Sequence, residues 1–556
     1  MDPIAKGKLA VETLKSFVNN SLSNKEPWQI VTMTTGAVLA TVWFFDFINQ
    51  DESVPSRLKK AVFRLARKIP AVARRIDSEM SNMRKTFEDE VRHRNEKIDY
   101  ITNLPESGKN REEILKQVKA YLELGDYDWK KGYVSGTVYF HNPELIELLT
   151  EVYGLASYTN PLHPDVFPGV CKMEAEVVRI AANLFHGSPS ACGTMTTGGT
   201  ESILMACKAY RDYAKFERGI KHPEIVLPKT AHPAFDKAAL YFGMRIKHVP
   251  VDPVTTKVNI RAMKNSISKN TCMLVGSVPN FPYGTMDDIE AIAELGRRYN
   301  IPVHVDACLG GFVIVFMQKA GYKLPPFDFS VPGVTSISAD THKYGFAPKG
   351  SSVVLYSEPK YRHHQFTVTT DWPGGVYGSP CVSGSRAGGI IAACWATMMY
   401  FGLDGYVEAT KKIVSTTKKI EEGLRKMKGI FVFGTADTSV VAVGSNVFHI
   451  YRLSDAITKR GWNINALQFP PGMHLCVTYM HTAEGVAERF LSDIQEELEK
   501  ILKEPVKEVG GKFAVYGMSQ SVPDRSIVGD FTRCFLDSMY YTPSQPNGTG
   551  NSKSVV

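Results

Sequence analysis

From about residue 110 onward, short apolar runs alternate with stretches of helical periodicity, and few folds accept that rhythm. Residues 174–185 (EAEVVRIAANLF) and 201–217 carry apolar side chains at helical spacing. Between and after them come EIVLP (224–228), IKHVPV (246–251), CMLVGSV (272–278), IPVHVDA (301–307) and VTSISA (334–339), each of strand length and flanked by breaks. Strands alternating with helices predict an α/β unit with a mainly parallel sheet. After about residue 405 the texture changes. GIFVFG, SVVAVG, a helix near 452–460, HLCVTYM and a long helix over 483–503 predict a smaller α+β domain. That last helix places Val486, Phe490, Ile494, Leu498 and Ile501 on one face, the mark of docking onto a sheet. The expected divisions are a helical N-terminal segment over 49–125, a large domain over 126–400, the small domain over 401–505, and a C-terminal extension over 506–556. The extension ends in a polar Gly/Ser/Pro-rich tail beyond about 540 that reads as disordered.

Sheets of this kind bind ligands at the carboxyl ends of their strands, and three of the expected strands end in complementary chemistry. EIVLP runs into Lys229-Thr230-Ala231-His232, IPVHVDA ends with Asp306, and VTSISA runs into Asp340-Thr341-His342-Lys343. A parallel sheet brings an imidazole, a carboxylate and an amine to one rim. Those groups fit pyridoxal phosphate: an amine for the aldehyde, an acid to keep the ring nitrogen protonated, a flat group for the ring face. Singly, each has a plain structural alternative; His232 serves equally as a loop histidine and Asp306 as a helix cap. The phosphate needs its own cradle, and Thr196-Thr197-Gly198-Gly199-Thr200 opens the helix expected at 201–217. Glycines let the backbone approach, and free N–H groups at a helix start favour an anion.

Charge and cysteine content narrow the remaining classes. The net charge is +8 and much of the basic excess lies near the N-terminus. That distribution argues against general nucleic-acid binding, which calls for a basic face on a folded domain. The nine cysteines have no CxxC or zinc-ligand spacing, so buried reduced thiols are expected, with no metal.

One further segment stands apart. Residues 28–48 (WQIVTMTTGAVLATVWFFDFI) have an uncharged centre over 30–45, with Gln29 and Asp46 at the rims and Trp28 and Trp43 near the borders. Twenty-one helical residues span about 32 Å, enough for a hydrocarbon core, and border tryptophans fit an interfacial belt. Eight Lys/Arg lie in residues 51–75 against four in 1–27, so the positive-inside rule places the body in the cytosol and the N-terminus, with the sequon at Asn19, in a lumen. The basic run is also amphipathic (Val62, Leu65, Ile69). It reads equally as a helix lying on an anionic leaflet and as a solvated helix leading to the body.

NPLHPDVFPGV (160–170), GGTESILMACKAYRD (198–212), HVDACLGGF (304–312), SADTHKYGFAPKGSS (338–352) and DGYVEAT (404–410), with His232 between them, together resemble a known family. It is the fold-type I pyridoxal-phosphate enzymes of the group II decarboxylase superfamily, and most closely their sphingosine-1-phosphate lyases. The resemblance runs from the membrane segment to about residue 540. It implies Lys343 as the Schiff-base lysine, Asp306 as partner of the ring nitrogen and His232 as the stacking group. Gly198, Gly199, Thr200 and His342 would hold the cofactor phosphate. It implies a homodimer with sites at the subunit interface, where the loop 377–386 reaches the partner's site and sets Ser385 near the phosphate; Cys381-Val382-Ser383 departs from the family's pattern there. It implies a substrate-phosphate subsite of Lys349, Tyr139 and His163, and an endoplasmic reticulum membrane. The expected reaction is retro-aldol cleavage of a phosphorylated long-chain base. A pyridoxal-dependent amino-acid decarboxylase and a membrane-anchored scaffold without catalysis are the rival readings.

Overall fold

A computed structural model describes residues 3–48, 54–506 and 525–543. They fall into two compact units, residues 1–82 and 83–556, each described by itself.

The first unit is helical: α1 (Pro3–Leu22), α2 (Pro27–Ile48), α3 (Val54–Ala66) and the first half of α4 (Pro70–Arg94), which runs on into the second unit. Pro27 and Pro70 open their helices, where a missing N–H costs nothing. The expected membrane segment is thus helical, and its large apolar side chains Val31, Leu39, Val42 and Trp43 are exposed.

The second unit is built on a seven-stranded sheet in the order β1-β7-β6-β5-β4-β2-β3. Its strands are β1 (Cys192–Thr196), β2 (Glu224–Pro228), β3 (Arg245–Val249), β4 (Thr271–Ser277), β5 (Val303–Asp306), β6 (Val334–Ala339) and β7 (Ser352–Tyr356). Four pairings are parallel, β2 with β3 and β4, and β5 with β4 and β6. β7 runs antiparallel to both β1 and β6, which makes the sheet mixed. β2, β4 and β7 are buried along their whole length, as strands covered on both faces must be. After the hairpin β8 (Thr367–Thr369) and β9 (Tyr377–Ser379) comes a second sheet. It is antiparallel in the order β10-β11-β13-β12, from Phe431–Val432, Val440–Gly444, Gly472–Cys476 and Asn465–Leu467. The helix Val486–Ile501 buries Val486, Phe490, Ile494, Leu498 and Ile501, the face read from the sequence.

The expected division at 400/401 falls beside a break in the helical stretch Gly388–Arg425, where Gly402 leaves helical geometry (φ 54°, ψ −170°) and separates two helical segments. Among the described residues this helix has the length and apolarity to cross a membrane, yet its faces pack in the core. At the start of the large domain expected over 126–400, a short segment bonds to the small domain. Val134 bridges to Asn463, and Ser135 donates its N–H to Asn463 O (2.7 Å) while its hydroxyl accepts from Cys476 N (2.9 Å). An early segment is thereby stitched to the small sheet. Of the C-terminal extension, Arg525–Ser538 is helical; the tail expected to be disordered, from residue 544 on, lies outside the described residues.

Candidate active site

Because β2, β4, β5 and β6 are mutually parallel, their carboxyl ends open on one rim. Two antiparallel steps through β7 return β1 to the same direction, so its turn joins that rim. A cleft of about 360 Å³ lies there, lined by Thr197, Gly198, Gly199, Thr200, Glu201, Ile203, His232, Cys308, Asp340, His342 and Lys343. Of the residues expected to hold a cofactor, the turn, His232, His342 and Lys343 meet in this cleft. Asp306 is not among these lining residues; it is buried two residues before Cys308, its Oδ1 accepting from Cys308 N (3.1 Å) and Ser338 Oγ (3.5 Å). Ser338 Oγ is also 3.0 Å from Nε2 of the buried His304, whose Nδ1 is 2.8 Å from Ser336 Oγ. Burial lowers the His304 imidazole to about 4, so the group behind Asp306 is neutral.

The Lys343 Nζ does not stand alone. It lies 2.8 Å from Oδ2 of Asp340, a carboxylate only 2 % exposed. Burial by itself would lower the Lys343 pKa; the Asp340 charge outweighs it and holds the ammonium above the ordinary lysine range. Asp340 was quoted in the sequence as part of its run but given no task. The signal available was its spacing, three residues before Lys343 in a tight turn. Its Oδ1 has no hydrogen-bond partner, nor have His342 Nδ1 and Thr230 Oγ1, all buried at this rim. A Cβ on Gly199 would lie 2.7 Å from both Asp340 oxygens and 2.9 Å from Cys308 Sγ. Glycine is therefore required for the turn to pass so close to the acid.

Glu201 is a second residue that sequence reasoning passed over. One carboxylate oxygen accepts from Thr197 N and Thr197 Oγ1 (2.7 and 2.6 Å), and the other from Val382 N (3.0 Å). It ties the glycine turn to the loop 377–386, whose far end is held by the Arg386–Glu174 ion pair. Ser385 does not line the Lys343 cleft of its own chain. It lines an adjoining hollow of about 160 Å³ with Thr196, Thr197 and Glu201.

A larger hollow of about 480 Å³ opens beside His342. It is lined by Tyr139, Lys349 and, mostly, apolar side chains including Leu145, Ile146, Leu149 and Phe346. Lys349 Nζ stands 4.9 Å from the Tyr139 ring centroid. Burial, reinforced by the nearby Lys343 charge, lowers the Lys349 pKa. The structure brings Lys349 and Tyr139 together as expected; His163, in the turn before the helix Pro168–Leu184, is among the lining residues of neither cleft.

An amine beside an acid, a second acid buried nearby, an imidazole at the mouth and a glycine turn opening an 18-residue helix have the chemistry that pyridoxal phosphate needs. The unpartnered polar atoms and the absent Cβ leave it both room and hydrogen-bonding capacity.

Comparison with known proteins decides the family. Residues 93–447 match the model of the pyridoxal-dependent decarboxylase conserved domain. A sphingosine-1-phosphate lyase of Drosophila melanogaster is 62% identical, over 97% of this chain and 99% of its own. Sphingosine-1-phosphate lyase 1 of Mus musculus is 51% identical over 96% of this chain and 94% of its own. The chain belongs to the sphingosine-1-phosphate lyase family. The solved structure of a Burkholderia pseudomallei sphingosine-1-phosphate lyase superposes with a TM-score of 0.74 at 39% identity, covering 81% of this chain and 99% of that one. Membership makes the chain a pyridoxal-phosphate-dependent lyase, with the cofactor the cleft accommodates.

Proposed function

We propose that the chain cleaves phosphorylated sphingoid bases, sphingosine 1-phosphate among them, into a long-chain aldehyde and phosphoethanolamine. The observation that carries this reading is the second cation. Lys349 bounds a mainly apolar hollow next to the Lys343 cleft, an arrangement suited to an amphiphile with an anionic head. An acidic amino acid offers no apolar group for such a hollow to bury, and an aromatic one offers far less apolar length than a sphingoid base.

When bound, pyridoxal phosphate supplies an aldehyde for a primary amine and a ring that takes up the electron pair left by the breaking bond. Lys343 is the amine that holds it. Asp306 would keep the ring nitrogen protonated, and the His304 ring that shares Ser338 with it is neutral. His232 would lie against the ring face, and Gly198, Gly199, Thr200 and His342 would hold the phosphate. Asp340 holds Lys343 as an ammonium and takes its proton when the amine must act as a nucleophile. Lys349 and Tyr139 receive the substrate phosphate, with His163 joining only after movement or from elsewhere in the assembly. An anion at Lys349 relieves the repulsion it suffers from Lys343. Cleavage of C2–C3 takes the proton from the C3 hydroxyl and adds one at C2, and the amine of Lys343, once free, would be the group placed to carry a proton to C2.

The assembly belongs to the same proposal. α2 spans a membrane of the endoplasmic reticulum, with the N-terminus luminal and the body cytosolic; the border tryptophans and the eight-against-four charge bias support it. The chain acts as a homodimer in which the loop 377–386 serves the partner's site. The position of Ser385 outside its own chain's Lys343 cleft agrees with that reading. The test is product identity. The purified protein given a phosphorylated sphingoid base should yield aldehyde, and given aromatic or acidic amino acids should yield no carbon dioxide. Carbon dioxide without aldehyde would replace this reading by amino-acid decarboxylation.

A further inference from the structure

The helix α3 follows α2 after five residues, and Arg57 ties the two together. Its guanidinium donates to the carbonyl of Phe47 in the last turn of α2 and stands 4.2 Å over the Phe47 ring. A cation on the carbonyl end of a helix is favourable in itself, and here it holds the start of α3 at the end of α2. Along α3 and its following turn, Leu58, Val62, Leu65 and Ile69 recur at the spacing of one helix face. Each is between 52 % and 69 % exposed. Phe63 and Ala66, on the adjoining side, are half-buried. The helix therefore already packs by one side and leaves the Leu58 side without a protein partner among the described residues.

The charges are one-sided. Residues 54–76 contain eight Lys/Arg and no Asp or Glu. A surface that accepts both an apolar stripe and a purely cationic border is the boundary of an anionic bilayer leaflet. A second copy of α3 would also cover the stripe, but it would press like charges together. We infer that α3 lies in the headgroup region of an anionic leaflet, with Leu58, Val62, Leu65 and Ile69 immersed. This rests on the proposal that α2 is a membrane span, which would place the Arg57 contact at that boundary. The arrangement keeps the start of the catalytic chain at the lipid surface where an amphiphilic substrate resides.

The test uses the full chain in vesicles, with a nitroxide on Leu65→Cys or, separately, on Val38→Cys in the middle of α2. Signal from the native cysteines is subtracted with the identically treated parent protein. In phosphatidylcholine vesicles containing about 30 % phosphatidylserine, the label at 65 should collide several-fold more with oxygen, relative to a water-soluble nickel chelate, than in phosphatidylcholine alone. Arg64→Glu with Lys68→Glu should abolish that rise. A label at 65 that stays water-accessible in both vesicles, while the label at 38 is lipid-immersed, overturns the inference and leaves the span intact. Spin–spin broadening at 65 overturns it in favour of a second copy. A water-accessible label at 38 removes the span and the inference with it.

Discussion

Asp340 has the clearest consequence of any single residue, because its buried carboxylate decides the charge of Lys343. In Asp340→Asn the ammonium keeps the cost of burial and loses its counter-charge, so its pKa falls. Capture of pyridoxal phosphate by cofactor-free protein needs the neutral amine. In the wild type its rate should climb only at high pH, and in the variant that climb should shift to lower pH. Stopped-flow absorbance against pH reads the difference; coincident profiles would show that Asp340 does not control the amine. Turnover should drop about 100-fold, the scale of a lost proton-transfer partner. Lys343 itself was legible in the sequence because an amine four residues beyond an apolar strand has few structural reasons to be there. Asp340 was not, because an acid three residues before a lysine reads as an ordinary turn; only burial makes it a controlling charge. His163 shows the reverse limit, since its expected task came from resemblance and no feature of the folded chain brings it to Lys349.

The glycine turn and the helix it opens carry the next prediction. A methyl at Gly199 would meet two carboxylate oxygens and a sulfur inside contact distance. Relieving that costs about 1–3 kcal/mol, so Gly199→Ala should weaken cofactor affinity by at least about 5-fold. Gly198 is the internal control. Its φ of 164° is extended, and a methyl there meets only His342 Cε1 at 3.5 Å, so Gly198→Ala should lose less affinity than Gly199→Ala. Equal losses at the two positions, by fluorescence titration, would contradict the close approach to Asp340. At this scale β2 to β6 were legible, β2, β4, β5 and β6 as runs of mostly buried residues and the more exposed β3 from its short length between breaks. β1 escaped because CGTMT has a glycine and three polar or small residues, and β12 because Asn465–Leu467 is only three residues long. The reversed direction of β7 follows from its connection. Residues 340–351 hold turns but no crossover helix, so the chain returns antiparallel.

For the whole molecule, the sequence separates a large from a small domain, and the folded chain joins them. The helical stretch Gly388–Arg425 breaks at Gly402, beside the expected boundary, while residues 134–136 bond to the small sheet. Tyr139 therefore reaches Lys349 because an early segment is anchored on a late sheet, a contact that no local pattern encodes. The account of the second unit depends on one covalent assignment, that Lys343 is the amine holding pyridoxal phosphate. Borohydride reduction of the loaded protein, followed by peptide mass mapping, reads it directly. The account predicts the cofactor mass on the peptide containing Lys343, and its loss in Lys343→Ala. The mass on Lys349 or another lysine, or a modified peptide persisting in Lys343→Ala, would contradict it.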